Sequence, residues 1–242
     1  VFAYGMHRLG RPDGAAVLRV SVIQGNIEQD RKWDPAYQEA AMAAYERLTR
    51  QALRDMPDLV IWPETALPFF FGAKEPPAPA LTGDLKRFVR ASRTAMLIGS
   101  ALYEVRDHRQ LLKNAAVFLD REGGVADYYV KHRLVPFGEY VPLKNGPLFF
   151  LDKLVQPAGD FTAGSVYTVV GVRSAAAGRN IPVSTVICYE IIFPDHVRQF
   201  VNAGAEVITT ITNDGWFGRT AAPFQHFSMA VLRAVENRMP VA

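Results

Sequence analysis

The stretch Ser184–Pro194, "STVICYEIIFP", ends an apolar run with the single cysteine of the 242-residue chain. The run predicts a buried strand that stops at Cys188, directly before Tyr189 and Glu190. A buried cysteine is usually a small hydrophobic packing residue. A nucleophilic cysteine needs in addition a base, a cation that stabilises the thiolate, and donors for an oxyanion.

Predicted strands and helices alternate along the chain, which indicates an α/β layered domain. Strands are predicted at 17–27, 57–64, 95–104, 113–120, 125–133, 165–172, 181–190 and 206–214, and helices at 34–53, 84–94, 195–204 and 227–239. A turn at 122–124 predicts a hairpin, and two long loops are predicted at 65–83 and 134–164. Asp34 is the expected N-cap of the first helix, whose apolar face is predicted to hold Tyr37, Ala41, Tyr45 and Leu48.

The composition argues against several classes of protein. Hydrophobic residues make up 49% and charged residues 21%, which is ordinary for a globular protein. A net charge of +3 without a run of Lys or Arg argues against a nucleic-acid partner. No apolar run reaches the roughly 20 residues of a membrane-spanning helix. The histidines show no metal-ligand spacing, so neither a metal site nor a cofactor is expected.

Three chemically different side chains stand at the ends of predicted strands: Glu64, Lys131 and Cys188. Such side chains can converge on one rim of an α/β sheet, where ligands commonly bind. Lys131 would then stabilise the thiolate and an oxyanion, Glu64 would carry the proton, and the Tyr189 N–H would be a second oxyanion donor. This set predicts acyl transfer through a thioester. Taken singly, the three also have structural interpretations: a turn cap, a surface lysine and an inert packing cysteine.

The same order of residues resembles the nitrilase, or carbon–nitrogen hydrolase, superfamily. It is carried by "LVIWPE" (59–64), "YYVKHRLVPFGEYVP" (128–142) and "ICYEIIFP" (187–194). Within that superfamily the chain is similar to the apolipoprotein N-acyltransferases of the bacterial inner membrane, through "QGNIEQDRKWDP" (24–35), "WPETALPFF" (62–70), "NDGWFG" (213–218) and "AVENRMPVA" (234–242). The resemblance implies a four-layer αββα sandwich, which periodicity alone does not give.

The resemblance also implies roles for individual residues. Glu64 matches the family's general base, Lys131 its catalytic lysine and Cys188 its nucleophile. The matching support residues are Glu139, Tyr189 and Glu190, and Trp33 matches a functionally important tryptophan.

Aromatic residues in two irregular segments are further candidates for substrate contact. Phe70 in "PFFFG" (68–72) and Phe149 in "GPLFFLDKL" (146–154) are expected either to line an acyl-chain entrance or to fill the core. Trp216 is expected in a turn near the site, where it could contact substrate. His226 is assigned to the start of the last helix, and His132 to the face opposite Lys131.

The implied reaction has two halves and two substrates. Cys188 takes a fatty acyl group from a membrane phospholipid, and the N-terminal amine of a diacylglyceryl-cysteine apolipoprotein then receives it, at the periplasmic face of the inner membrane. A soluble amidase or nitrilase that uses water as acceptor is the main alternative, and a catalytically inactive binding module is another. The expected organisation is a connector from a membrane region at 1–16 and a catalytic domain at 17–242, with the last strands of the sandwich missing.

Overall fold

Two β-sheets form the centre of the molecule. The computed structural model describes residues 18–27, 35–106, 109–140, 161–218 and 220–242, together with Ala3 and Met6. The first sheet has the strands β1 (Val20–Val22), β2 (Leu59–Trp62), β3 (Ala95–Arg106), β4 (Arg109–Leu119) and β5 (Val125–Val130), in that order. The second has β6 (Val170–Arg173), β7 (Asn180–Ile187) and β8 (Val207–Ile211). Strands β1, β2 and β3 are parallel to one another, as are β7 and β8, and the other neighbours are antiparallel.

Helices cover the outer faces of the two sheets. The helices are α1 (Gln38–Ala52), α2 (Ala78–Ser92), α3 (Pro194–Asn202) and α4 (Ala222–Asn237). α1 and α2 pack on the first sheet in one apolar cluster, whereas α3 and α4 contribute to a second cluster that also joins the facing sides of the two sheets. The predicted αββα sandwich is therefore confirmed.

Strand β2 illustrates why the layers form. Successive strand residues point to opposite faces of a sheet. Val60 and Trp62 accordingly pack against the helices, while Leu59 and Ile61 pack between the sheets, and all four are buried. A strand buried on both faces has to be a continuous apolar run, which is what "LVIW" supplies.

The predicted hairpin between β4 and β5 is confirmed. Hydrogen bonds to Asp120 and a glycine in a left-handed conformation stabilise its turn. The Asp120 carboxylate accepts hydrogen bonds from the N–H groups of Glu122 (3.0 Å) and Gly124 (2.7 Å). Gly123 has φ of +78°, a left-handed conformation that glycine adopts without steric cost.

Two sequence predictions about helices were wrong. The loop predicted at 65–83 ends early, because α2 already begins at Ala78 with Pro79 in its first turn, where a missing N–H costs nothing. Tyr37 was predicted on the buried face of the first helix but is 41% exposed, because Pro35–Tyr37 forms a 3₁₀ turn and α1 begins only at Gln38. Asp34, the expected cap, lies outside the described residues.

The outer face of α4 is apolar and exposed to solvent. Its large apolar side chains that are exposed are Phe224, Phe227, Val231, Leu232 and Val235. Beside this helix the final residues pair with β8, where the Ala242 N–H donates to the Ile208 carbonyl at 3.0 Å. Among the helices that the structure describes, none combines the length and the apolar character needed to cross a lipid bilayer.

We expect Asp58→Ala to lower the free energy of unfolding by about 2 kcal/mol. The buried Asp58 carboxylate accepts the N–H of Arg19, just before β1, and the N–H of Ala175, just after β6, both at 2.9 Å. It thereby ties the two sheets together, and its loss leaves two backbone donors unpaired. Urea denaturation measures the change. The control is Asp84→Ala, which removes only a surface ion pair with Arg87 and should change stability little; equal effects of the two substitutions would contradict the prediction.

Candidate active site

The three side chains at strand ends converge on one rim of the sandwich. Lys131 follows β5 directly, Cys188 follows β7 directly, and Glu64 lies two residues beyond β2. The Lys131 Nζ is 3.2 Å from Glu64 Oε1, and both groups interact electrostatically with the Cys188 thiol. All three side chains are buried, which shields their charges from water.

Glu64 reaches the rim because strand β3 carries a glycine at the contact point. A Cβ atom on Gly99 would lie 2.2 Å from the Pro63 carbonyl oxygen and 2.6 Å from the Glu64 Cα. Any larger residue would therefore push the Glu64 turn away from the sheet. The side chain is then fixed from its other side, where the Asn213 N–H donates to Glu64 Oε2 at 3.0 Å.

Cys188 has an unusual backbone conformation for a residue with a side chain. Its φ is +51°, and it is the first residue of the 3₁₀ turn Cys188–Ile192. Non-glycine residues in this region are strained by about 1–3 kcal/mol and concentrate at functional sites. The sharp turn ends β7 at the thiol and directs the Tyr189 N–H toward the sulfur.

A second glutamate and an asparagine complete the charged cluster. Lys131 Nζ lies 3.0 Å from Glu139 Oε1, and the Asn114 side-chain amide donates to both Glu64 Oε1 and Glu139 Oε1 at 2.7 Å. The Val135 N–H donates to Glu139 Oε2 at 2.8 Å. Burial by itself lowers the pKa of Lys131, but the two carboxylates outweigh it and hold that pKa above its ordinary value. Lys131 is therefore a cation and not a base at neutral pH.

The thiol of Cys188 is protonated at rest. Its pKa is raised to about 12. Burial is the main cause and the Glu64 charge acts in the same direction, while Lys131 and the Tyr189 N–H act in the opposite direction. At pH 7 only roughly one thiol in 100,000 would be ionised. A thiol in this state could act as a nucleophile only with a base beside it to take its proton.

Glu190 connects the nucleophile to the lysine. Its Oε2 accepts the N–H of Ile187 at 2.8 Å, and its Oε1 accepts the N–H groups of His132 at 2.7 Å and Arg133 at 3.0 Å. Burial opposes its ionisation, but His196 and these backbone donors outweigh burial, so the pKa of Glu190 is lowered. One buried carboxylate thus fixes both the residue before Cys188 and the residue after Lys131.

The candidate substrate contacts have different positions. Phe70 is partly buried, with its ring 6.3 Å from that of Tyr103, between the buried Phe69 and Phe71. Trp33 and Phe149 lie outside the described residues, as does the side chain of Trp216, whose backbone belongs to the 3₁₀ turn Asp214–Phe217. Tyr189 is partly buried, with its ring edge-on to Phe193 at 5.0 Å. These roles remain predictions.

A polar chain that the sequence did not reveal lies on another side of the thiol. The Thr212 hydroxyl contacts the Cys188 sulfur and donates to Asp214 Oδ1 at 2.8 Å, and His226 Nδ1 lies 3.0 Å from the same oxygen. The sequence placed Trp216 in a turn near the site and His226 at a helix start, and both elements are confirmed. It did not indicate that Asp214 and His226 pair beside Cys188, and no local signal marked Asn114 either.

One group of described residues offers atoms that a metal ion could bind. These are Cys188, Asp214 and His226, whose sulfur, carboxylate oxygen and ring nitrogen lie within 4.8 Å of one another. The Asp214–His226 hydrogen bond and the turn that carries Cys188 account for the grouping without an ion.

The family of the chain is shown by a match that covers nearly all of its sequence. The profile of the carbon–nitrogen hydrolase family matches residues 19–242. The chain belongs to the carbon–nitrogen hydrolase family. The resemblance found in its motifs is therefore confirmed, and the fold described above is the one that the resemblance implied.

Relatives within the carbon–nitrogen hydrolase family share long stretches of the chain. It is 43% identical over 240 residues to an apolipoprotein N-acyltransferase of Geobacter metallireducens, in an alignment that covers 99% of this chain and 44% of the relative. It is 33% identical over 219 residues to an apolipoprotein N-acyltransferase of Pseudomonas putida, which covers 90% of this chain and 40% of the relative. The chain thus spans less than half the length of these two relatives.

Solved structures of the family have the same fold. A carbon–nitrogen hydrolase from Helicobacter pylori G27 has a TM-score of 0.61 at 16% identity, over 93% of this chain and 72% of that one. A variant of the amidase from Nesterenkonia sp. AN1 has a TM-score of 0.62 at 19% identity, over 96% of this chain and 76% of the amidase chain. That amidase carries a covalent acetamide group at its active-site cysteine.

We expect Glu64→Gln to shift the alkylation of Cys188 by iodoacetamide to lower pH. The Glu64 charge raises the pKa of the thiol, so its removal lowers that pKa and produces thiolate at less alkaline pH. The measurement is the alkylation rate between about pH 7 and 11, followed by intact-protein mass. Glu104→Gln, on the surface part of β3, serves as the control. An unchanged or more alkaline profile in Glu64→Gln would show that its charge does not act on the thiol.

We expect Glu190→Gln to lower the free energy of unfolding by about 2–4 kcal/mol at neutral pH, because one carboxylate satisfies several buried donors. The lowered pKa of Glu190 means that its ionised form stabilises the fold above the unfolded glutamate value of about 4.3. That stabilisation is lost as pH falls through the folded pKa. The gap between the unsubstituted protein and Glu190→Gln should therefore narrow below about pH 4.5. Urea denaturation across pH tests this, with Glu39→Gln on the exposed side of α1 as control; a gap independent of pH would refute it.

Proposed function

We propose that the protein is the catalytic part of an apolipoprotein N-acyltransferase. In this proposal it moves a fatty acyl group from a membrane phospholipid to the N-terminal amine of a diacylglyceryl-cysteine apolipoprotein. The observation that carries the proposal is the cluster in which Glu64, Lys131 and the Tyr189 N–H surround the thiol of Cys188. The chain is similar to proteins named apolipoprotein N-acyltransferase, and that similarity supports an amine rather than water as the acceptor.

In the first half-reaction Cys188 attacks the ester carbonyl of the phospholipid. Glu64 takes the thiol proton as the sulfur–carbon bond forms, and then delivers it to the oxygen of the departing lysophospholipid. The negative charge that develops on the carbonyl oxygen is stabilised by the Lys131 ammonium and the Tyr189 N–H. The product is an acyl thioester on Cys188 and a neutral lysophospholipid.

In the second half-reaction the amine of the apolipoprotein attacks the thioester carbon. Glu64 takes a proton from the attacking amine as the carbon–nitrogen bond forms, the carbon–sulfur bond breaks, and Glu64 delivers that proton to the sulfur. The same two oxyanion donors serve this step, because the carbonyl carbon remains attached to the same sulfur. Glu139 and Asn114 hold Lys131 and Glu64 in place through both halves.

An aromatic groove beside the nucleophile supports a long acyl chain as donor. It is lined by Leu134, Pro136, Tyr140, Phe161, Tyr189 and Phe193 among the described residues. Tyr189 directly follows Cys188 in the chain, so the residue next to the proposed nucleophile forms part of the groove wall. The Arg133 guanidinium lies 5.3 Å from the centre of the Phe193 ring and brings a cation suited to a phosphate group to this side of the site.

The proposal places the site at the periplasmic face of the bacterial inner membrane. Both substrates carry lipid chains, and a site that serves them has to lie close to the bilayer. Residues 17–242 form the catalytic domain in this proposal and 1–16 connect it to a membrane region. Phe70 and the groove residues are the proposed contacts for acyl chains.

The test is mass spectrometry of the parent-length protein after incubation with phosphatidylethanolamine vesicles. We expect a fatty-acyl mass on the Cys188 peptide that hydroxylamine removes, since hydroxylamine cleaves thioesters. Addition of a diacylglyceryl-cysteine peptide should discharge the adduct and acylate the peptide.

The control for this experiment is Cys188→Ser, which lacks the thiol and should show no hydroxylamine-labile adduct. Absence of the adduct on folded, membrane-inserted protein, together with release of ammonia from small amides or nitriles, would refute the acyltransferase and support a hydrolase.

A further inference from the structure

The Asp214–His226 pair borders Cys188 but is not among the groups to which the two half-reactions assign a role. The ring nitrogen of His226, a carboxylate oxygen of Asp214 and the Cys188 sulfur lie within 4.8 Å of one another. The two side chains are 16% and 22% exposed, so the pair connects the buried sulfur to solvent. The edge-on contact between the Phe217 and His226 rings, at 5.6 Å, helps to fix the imidazole.

The two halves of an acyl transfer to an amine need different numbers of proton transfers. In the first half one proton leaves the thiol and enters the departing alcohol. In the second half an α-amine, which is mostly an ammonium ion at pH 7, loses two protons before it becomes an amide. One of these protons ends on the sulfur, and the other has to leave the site. The second half therefore requires a proton acceptor in addition to the one that serves the sulfur.

Glu64 is poorly placed to carry both protons. Its Oε1 already accepts hydrogen bonds from Asn114 and Lys131, and its Oε2 accepts one from the Asn213 N–H. Both oxygens of Glu64 are therefore already engaged as hydrogen-bond acceptors. Glu64 carries the one proton that is exchanged with the sulfur, and the other proton needs a second acceptor.

The distances at Cys188 suit His226 for the second proton. In the tetrahedral intermediate the amine nitrogen lies roughly 3 Å from the sulfur, and a base has to be within about 3 Å of that nitrogen. A base can therefore stand up to about 6 Å from the sulfur. One of the two ring nitrogens of His226 lies within 4.8 Å of the sulfur, which places the imidazole at the distance that such a base requires.

We propose that the His226 imidazole accepts the other proton of the attacking amine in the second half-reaction, with Asp214 as its positioning residue. This inference rests on the acyltransferase function proposed above. When Nδ1–H donates to Asp214, the acceptor atom of the neutral ring is Nε2. The imidazolium that forms is paired with the Asp214 carboxylate, and it returns its proton to water. His226 is thus a catalytic residue of the acceptor step, and Asp214 orients its ring.

The test measures the two half-reactions separately on the parent-length protein in phospholipid vesicles, with EDTA in all buffers. The acyl-enzyme is first formed and quantified by the mass of the Cys188 peptide. A diacylglyceryl-cysteine peptide is then added and loss of the adduct is followed in a single turnover. In His226→Gln we expect the rate of transfer to the peptide to fall about 100-fold, far more than the rate of acylation, so that acyl-enzyme accumulates. Asp214→Asn should act in the same direction with a smaller effect.

Hydroxylamine distinguishes loss of the His226 base from a general disruption of the active site. Its nitrogen is unprotonated at neutral pH, so it needs no base to remove an ammonium proton. His226→Gln should therefore discharge its acyl-enzyme to hydroxylamine nearly as fast as the unsubstituted protein does. Ser228→Ala, on the exposed side of the same helix, is the matched control and should alter neither half-reaction.

The outcomes separate the two proposals. If Cys188 of the unsubstituted protein never acquires an acyl group, the proposed function fails. If the acyl group forms but His226→Gln slows both halves equally, or slows transfer to hydroxylamine as much as transfer to the peptide, His226 is structural and this inference fails alone. Normal transfer to the peptide in His226→Gln would also overturn it.

Discussion

The rim of this sandwich depends on one buried carboxylate. Glu190 accepts the backbone N–H of the residue before the nucleophile and of the two residues after the lysine. Cys188 follows a strand of the second sheet and Lys131 follows a strand of the first, so no hydrogen bond of either sheet holds them together. A carboxylate can do this because its two oxygens accept several hydrogen bonds at once, and an ionised acceptor strengthens every bond it receives. Tyr129 and His196 complete its shell and complement its buried charge.

A second constraint is the balance of charge around the thiol. Glu64 and Glu139 both contact Lys131, so the ammonium is retained in spite of its burial. Burial and, after it, the charge of Glu64 raise the pKa of Cys188 and keep the thiol protonated. A cysteine in this state is protected from adventitious oxidation and alkylation, because only the thiolate reacts rapidly. The cost is that attack and proton removal have to occur together, which requires the base to be in place beforehand.

Much of the fold could be predicted from the sequence because its signals are local. Strand β2 is a continuous apolar run, the β4–β5 turn contains two glycines, and α4 has a proline in its first turn. The start of α2 was missed because Pro79 and the residues around it also fit a loop, and only the packed helix distinguishes the two. The exposure of Tyr37 was missed because a 3₁₀ turn precedes α1 and changes which side chains share a face.

By itself the sequence determined which reactive side chains stand at or near the ends of apolar strands, and in what order: Glu64, Lys131 and Cys188. With the family resemblance it also indicated Glu139, Tyr189 and Glu190. The tertiary structure alone decided the left-handed backbone at Cys188, the raised pKa of its thiol, and the approach of Asn114, Asp214 and His226 to the site. The reason is physical: strand ends are encoded by local patterns of apolar residues. The contacts between a turn, a helix and a strand far apart in sequence exist only once the two sheets have packed together.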